Sequence, residues 1–410
     1  MREILKQKVL WIAAFGYFVD LFDLILYGAV RVDSLKSLGY QGNDIFSVGA
    51  TLLNIQMAGM LLGGLMWGVI GDRRGRREAL FGSIFIYSLA TFLNAYVHDF
   101  AGYATLRFLA GVGLAGELGA AITLISEALP GPVRGMGSAF VASVGFLGAA
   151  VSSYVCQLMS WQNAYRVGGT LGFLLLLSRF SIQDSLIFVR SRTHENKDTF
   201  GSLALAFQSK RRLKTFLLAL LAGIPVWYVA GILGYFAPEF AKELKTTGVV
   251  TAGTTIMMGY LGSILGDIAC GLLSQKLKSR KKAVLYFMIG GALLAILHPL
   301  FSFHASPLRF YWVRFAIGFG NGFFAILIAW IAEMFGTNLR ATMTSTLANL
   351  IRASVIPLTL GFQYLNPHFG MLWTSALLGS VCFTFGILAV LKLPETFHRD
   401  LNYLETTAAC

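Results

Sequence analysis

The chain has 410 residues, of which 56% are hydrophobic and only 13% charged, with 33 Phe and 45 Gly. Soluble domains carry about 25% charged residues, so a water-soluble globular core is excluded. A net charge of +13 raises nucleic acid as a partner, and the placement of the basic residues decides that question.

Apolar stretches of about 20 residues, each long enough to cross about 30 Å of hydrocarbon as a helix, recur along the chain. Twelve are expected, at 9-30, 46-71, 78-97, 101-127, 135-158, 164-184, 214-237, 249-274, 283-303, 309-334, 341-364 and 370-392. The first is too long for a cleavable signal, carries Asp20 and Asp23, and lacks a small-residue cleavage site. With both termini placed in the cytoplasm, roughly 24 Lys and Arg fall on that side and about six on the other, as the positive-inside rule requires. The basicity is topological, and no nucleic-acid partner is expected.

The one long polar interruption, from about Gln183 to Lys214, divides the chain in two. The expected organisation is a six-helix bundle over 1-185, a linker over 186-213, a second six-helix bundle over 214-393 and a tail over 394-410. Within the first half, Gly68-x-x-x-Asp72-x-x-Gly75-Arg76-Arg77 follows the second stretch. Gly271-x-x-x-Gln275-x-x-Lys278-Ser279-Arg280 follows the eighth. Arg107-x-x-x-Gly111-x-Gly113 in the fourth stretch returns as Arg314-x-x-x-Gly318-x-Gly320 in the tenth, and Glu127 with Arg134 returns as Glu333 with Arg340. Three correspondences in register indicate an internal duplication, and parallel six-helix repeats place a substrate site at the midplane between the halves.

Charges inside apolar stretches cost about 2.5 to 3.5 kcal/mol each at a helix centre, so they need partners or a wet cavity. Asp20, Asp23 and Tyr27 lie on one face of the first helix, and Arg107 belongs to the same half. A carboxylate beside an arginine is suited to switching a proton. Glu117, ten residues after Arg107 and about 15 Å farther along the helix, reads as a second protonatable or cavity group rather than its partner. In the second half, Arg352 shares a face with Asn349, and Arg314 with Asn321. A planar guanidinium binds a carboxylate at two points, so Arg352 and Asn349 are expected to hold an anionic substrate, with pairing of Arg352 to Asp267 as the alternative. Arg314, the repeat-mate of Arg107, reads as structural. Tyr228 and Tyr235 on the seventh helix, with Tyr260 and Asp267 on the eighth, form another candidate wall. Pro225 and Pro357 are possible kinks.

Gly68, Asp72, Gly75, Arg76 and Arg77, with Glu127, Arg134, Glu333 and Arg340, read as a latch holding one conformation. Nucleophile, P-loop and zinc-helix motifs are absent, and Cys156, Cys270, Cys382 and Cys410 have no metal-ligand or disulfide spacing. Neither catalysis nor a metal or other cofactor is expected, and energy would come from ion gradients.

The segment Trp67 to Arg77 resembles the hallmark loop of the major facilitator superfamily. Asp20-Leu-Phe-Asp23-Leu-Ile-Leu-Tyr27-Gly28 and the run from Arg107 through Gly116-Glu117 to Gly119 resemble the metabolite:proton symporter family within it, near the sugar porters and organic-ion transporters. Leu393-Pro394-Glu395-Thr396 is similar to sugar-porter tails. Met60-Leu61 stands where that family has Arg-Pro. The resemblance implies an all-α membrane fold of two pseudo-symmetric six-helix bundles. It further implies a monomeric carrier in the bacterial inner membrane, with Asp23 as proton carrier and Arg107 as its partner. Proton-coupled symport of a small carboxylate-type metabolite is the expectation, beside efflux of a drug-like compound or siderophore, or a non-transporting receptor or assembly factor.

Overall fold

The computed structural model describes the backbone of residues 8–74, 76–128, 131–179, 208–336 and 339–397, and their side chains except at 8–9, 68–69, 71–77, 117–139, 142, 179 and 341. Every regular element among them is helical. Hydrocarbon offers no partner to a free N–H or C=O, so a chain this apolar satisfies its backbone within helices.

Six helices build the first half: α1 (Lys8–Ser37), α2 (Asn43–Arg74), α3 (Arg76–Asn94), α4 (Phe100–Ala128), α5 (Gly131–Leu158) and α6 (Trp161–Arg179). The second half is more broken. It comprises α7 (Lys210–Trp227), a π-helical segment (Tyr228–Gly234), α8 (Ala237–Glu243), α9 (Ala252–Leu277), α10 (Arg280–Ser302), α11 (Pro307–Gly320), α12 (Phe324–Met334), α13 (Arg340–Ala353) and α14 (Val355–Lys392). A kink at Gly370, with φ of 72°, divides α14 into two spans. Counting α7 through α8 as one crossing, α11 with α12 as another, and α14 as parts of two, the crossings number twelve, as expected from the apolar stretches. Among the described residues, seven segments are long and apolar enough by themselves to cross a membrane.

The breaks have local causes. Pro225 lies inside α7 and removes a backbone donor just before the π segment, where Tyr235 N reaches back five residues to Ala230 O. Pro357 falls in the first turn of α14, after the interruption at Ser354, where a missing N–H costs little.

The duplication is also visible in close packing. A Cβ built on Gly59 would stand 2.2 Å from the Phe108 carbonyl oxygen, and one on Gly262 would stand 2.1 Å from that of Phe315. The next turn repeats the relation, Gly63 against Val112 and Gly266 against Phe319, at 2.2 Å from the carbonyl oxygen in both cases. Thus α2 lies on α4 as α9 lies on α11, through small residues that let backbones touch. Across the halves, α5 packs on α9, and α13 packs on α2 and α4.

Candidate functional site

Asp20 and Arg352 meet between the halves. The Arg352 Nη2 donates to Asp20 Oδ2 at 3.1 Å, and both residues are buried. Asp20 Oδ1 and Arg352 Nη1 have no hydrogen-bond partner among the described residues. The alternative partner from sequence, Asp267, is engaged elsewhere: its Oδ1 accepts from Ala325 N at 3.1 Å, capping the start of α12 after the Asn321–Phe323 break. That bond engages one oxygen of a buried acid on α9, while its Oδ2 has no hydrogen-bond partner among the described residues.

Beside Arg352 lies a cavity with about 70 Å³ open to the centre of a water molecule, enough for several waters. Both halves line it. Tyr17, Leu21 and Phe146 come from the first, and Trp227, Tyr235, Tyr260, Ser263, Arg314, Asn321, Phe324 and Arg352 from the second. The π segment presents Val229, Ala230, Leu233 and Gly234 to the same space. Its wider turn brings Tyr235 back toward α1, where the Tyr235 hydroxyl donates to Leu24 O at 3.0 Å and the ring covers Gly28.

Other expected site residues hold the scaffold. Tyr27 donates to Gly49 O at 2.8 Å, and Tyr228 contacts Ser375 at 2.8 Å against Gly379. Asn349 Nδ2 donates to Ala115 O at 3.3 Å, joining α13 to α4, and does not line the cavity. Asn321 does line it, with a weak bond to Val226 O at 3.4 Å and its Oδ1 unpartnered.

The pairing expected between Asp23 and Arg107 is not within ion-pair distance. Both Asp23 oxygens accept from the Thr91 hydroxyl, at 2.7 and 2.8 Å, and Arg107 Nε donates to Asn94 Oδ1 at 3.3 Å. The Arg107 guanidinium lies over the Tyr165 ring at 4.9 Å, and the Tyr165 hydroxyl meets that of Tyr103 at 2.7 Å. Two residues of α3, Thr91 and Asn94, one turn apart, thereby separate the acid from the base. The Glu117 side chain lies outside the described residues.

At the distal end of the bundle, away from both chain ends, sits a lock that sequence reasoning missed. Arg31 on α1 is fully buried and its Nη2 donates to both Glu239 oxygens, at 2.6 and 2.8 Å, and to Tyr235 O at 3.1 Å. Its Nη1 holds Ile45 O at 3.1 Å, and its carbon lies 4.8 Å from the Phe236 ring centre. Phe46 packs with tilted rings against Phe236 and Phe362 around it, and Thr359 bonds Asn54 across the halves. Arginine at a helix end reads from sequence as an interfacial anchor, and only the partner 208 residues away reveals otherwise.

At the opposite end, Glu333 accepts from Arg280 Nη2 at 3.2 Å and from Thr396 Oγ1 at 2.6 Å. Arg340 Nε donates to Ala332 O at 2.9 Å. Glu395 accepts from the Ser279 hydroxyl and from the backbone N–H of Arg280 and Lys281, capping α10. Burial raises the Glu395 carboxyl, but the bonds from Ser279, Arg280, Phe397 and Thr396 outweigh it and hold the group below the usual glutamate value. Of the expected latch, Gly75 and the side chains of Asp72, Arg76, Arg77, Glu127 and Arg134 lie outside the described residues, and Gly68 lies within α2.

A helical bundle in two like halves, with charges at the seam and a cavity between, defines a multi-pass membrane carrier. The chain belongs to the Major Facilitator Superfamily, whose model it matches over residues 13–356. It is 26% identical to a putative metabolite transport protein of Haemophilus influenzae, over 96% of this chain and 98% of that one. It is 27% identical to the cis,cis-muconate transport protein of Acinetobacter baylyi, over 95% of this chain and 94% of that one. The Escherichia coli xylose transporter XylE, in a partially occluded inward-open conformation, shares the fold with a TM-score of 0.73 at 16% identity, covering 96% of this chain and 99% of that one. The chain is a transporter and not an enzyme.

Proposed function

We propose that this carrier couples protons to the movement of a small carboxylate by alternating access of its two halves. The observation that carries the reading is the buried Asp20–Arg352 pair at the cavity wall, one partner from each half. A buried pair is costly to break by removing one charge. Protonation of Asp20 removes its negative charge, and a substrate carboxylate entering the cavity replaces it on Arg352. Loss of the substrate and of the proton restores the pair. Binding of the two is thereby linked: each favours the state in which Asp20 and Arg352 are apart.

Asp23, one turn along α1, serves as a second protonatable group with Arg107, and Glu117 belongs to the same relay. The relative named for muconate, a dicarboxylate, supports an acidic substrate. The setting is the inner membrane with cytoplasmic termini and a monomeric carrier. The loop Gly68 to Arg77, with Glu127, Arg134, Glu333 and Arg340, acts as the latch at the terminal end. The Arg31–Glu239 contact closes the distal end.

A second reading, efflux of an apolar compound, draws on the aromatic lining from Tyr17, Phe146, Trp227 and Tyr260. The two arginines in the same wall favour the acid. Uptake of cis,cis-muconate and benzoate into proteoliposomes, with the proton gradient imposed in either direction, tests the assignment. Accumulation driven by inward protons supports symport, whereas expulsion by an opposed gradient supports efflux.

A further inference from the structure

Arg314 is the repeat-mate of Arg107, yet its surroundings differ. It is 3% exposed, it lines the cavity, and its Nε, Nη1 and Nη2 all lack a hydrogen-bond partner among the described residues. Arg107 retains a bond to Asn94, and Arg352 one to Asp20. Arg314 is held instead by flat contacts, its carbon 4.8 Å from the Phe310 ring centre and 5.8 Å from that of Phe240. These rings fix the plane of the guanidinium and leave its donor edge free.

A buried arginine with no acceptor is destabilising, and no carboxylate within 4.0 Å balances this one among the described residues. His298, behind Phe240 at 5.8 Å, binds Ala295 O and provides no negative charge. A free, oriented guanidinium facing a cavity is complementary to a planar anion accepting two parallel hydrogen bonds. Asn321 lines the same cavity, and rotating its amide, at the loss of the 3.4 Å bond to Val226 O, turns Nδ2 into a further donor.

Taking the substrate reading above as its basis, we infer that Arg314 with Asn321 forms the resting anion subsite. There a substrate carboxylate docks before Arg352 is released from Asp20. The same cavity is lined by the aromatic side chains of Tyr17, Trp227 and Tyr260. The preferred ligand class is therefore an acid with an apolar, planar body rather than a polyhydroxylated sugar. An acid with a second carboxylate can reach Arg352 as well, once Asp20 is protonated.

The test is binding to the purified full-length protein in nanodiscs, read by calorimetry. The probes are benzoate, cinnamate and cis,cis-muconate, each against its amide, in the wild type, Arg314→Gln, Arg314→Lys and Arg352→Gln. The subsite predicts that each acid binds the wild type at least about 10-fold tighter than its amide, a preference lost in Arg314→Gln. Arg314→Lys should recover part of it, and amide binding, unchanged across the variants, reports an intact cavity. Acids that bind Arg314→Gln as tightly as wild type overturn the subsite while leaving a carboxylate carrier standing. Acids that bind wild type no better than their amides overturn the anionic substrate itself, and the subsite with it. Amide binding lost along with acid binding would mean that Arg314 holds the cavity together, which also overturns the subsite.

Discussion

Arg352 and Asp20 lie 332 positions apart in the chain and meet at 3.1 Å with almost no exposure to solvent, one from each six-helix half. Neither could be swapped for an apolar residue without freeing the other as an uncompensated buried charge. The pair therefore ties the state of the halves to the charge of one carboxyl.

Asp20→Asn should mimic the protonated carrier. Arg352 then has no anion of its own, and carboxylate affinity should rise, by roughly 10- to 150-fold for a charge-assisted bond of about 1.5 to 3 kcal/mol. Proton-driven accumulation should fall to background while exchange of labelled for unlabelled carboxylate continues. Asp23→Asn, whose native carboxylate bonds only Thr91, should slow transport without uncoupling it. Counterflow and gradient-driven uptake, measured side by side, separate the two variants.

Glu239→Gln weakens the distal lock. Arg31 loses its charged acceptor while keeping Ile45 O and Tyr235 O. A loss of about 1.5 to 3 kcal/mol shifts the balance of conformations by roughly 10- to 150-fold away from the distally closed form. Spin-label distances between positions 47 and 363, whose residues are bonded in the closed form, should lengthen in the variant.

Glu395 makes the terminal end sensitive to acid. Its carboxyl is held below the usual glutamate value, so the contact contributes fully above about pH 4.3 and is lost as pH falls through the lowered value. Hydrogen exchange at the amides of Arg280 and Lys281, which donate to Glu395, should accelerate only below that point. Glu395→Gln should exchange faster at every pH and lose the dependence.

Gly318→Val should unfold the second half, because a Cβ there would sit 2.0 Å from the Gly259 carbonyl oxygen and backbone cannot yield cheaply. Overpacking costs about 1 to 3 kcal/mol even where side chains can shift. Gly290→Ala has no atom within 4 Å to meet and should be neutral. Thermal unfolding of the two variants in the same detergent compares them.

Much of this architecture was legible in the sequence, for a physical reason. A bilayer demands about 20 apolar residues per crossing, so the crossings appear as runs, and Gly59, Gly63, Gly262 and Gly266 repeat because two helix pairs share one geometry. What could not be read is which charges meet. Asp20 was expected to work with Asp23 and Arg107 on its own half, yet it bonds Arg352. Arg314 reads as structural from sequence, where only its place as the repeat-mate of Arg107 is visible; the aromatic cradle of Phe310 and Phe240, and the acceptor missing among the described residues, come from tertiary packing. Arg31 stood at a helix end, where arginine is unremarkable, until Glu239 closed on it. Tyr27, Tyr228 and Asn349 lie on plausible faces but direct their donors to backbone carbonyls, and periodicity alone does not distinguish a cavity wall from a helix contact.

The most direct test of the account is proton movement triggered by a carboxylate in liposomes holding the purified carrier without any imposed gradient. External pH should rise on addition of cis,cis-muconate or benzoate to wild type, remain flat with the matching amides, and remain flat with Asp20→Asn although that variant still exchanges label. Carboxylate uptake without proton movement in the wild type, or an undiminished proton signal in Asp20→Asn, would contradict it.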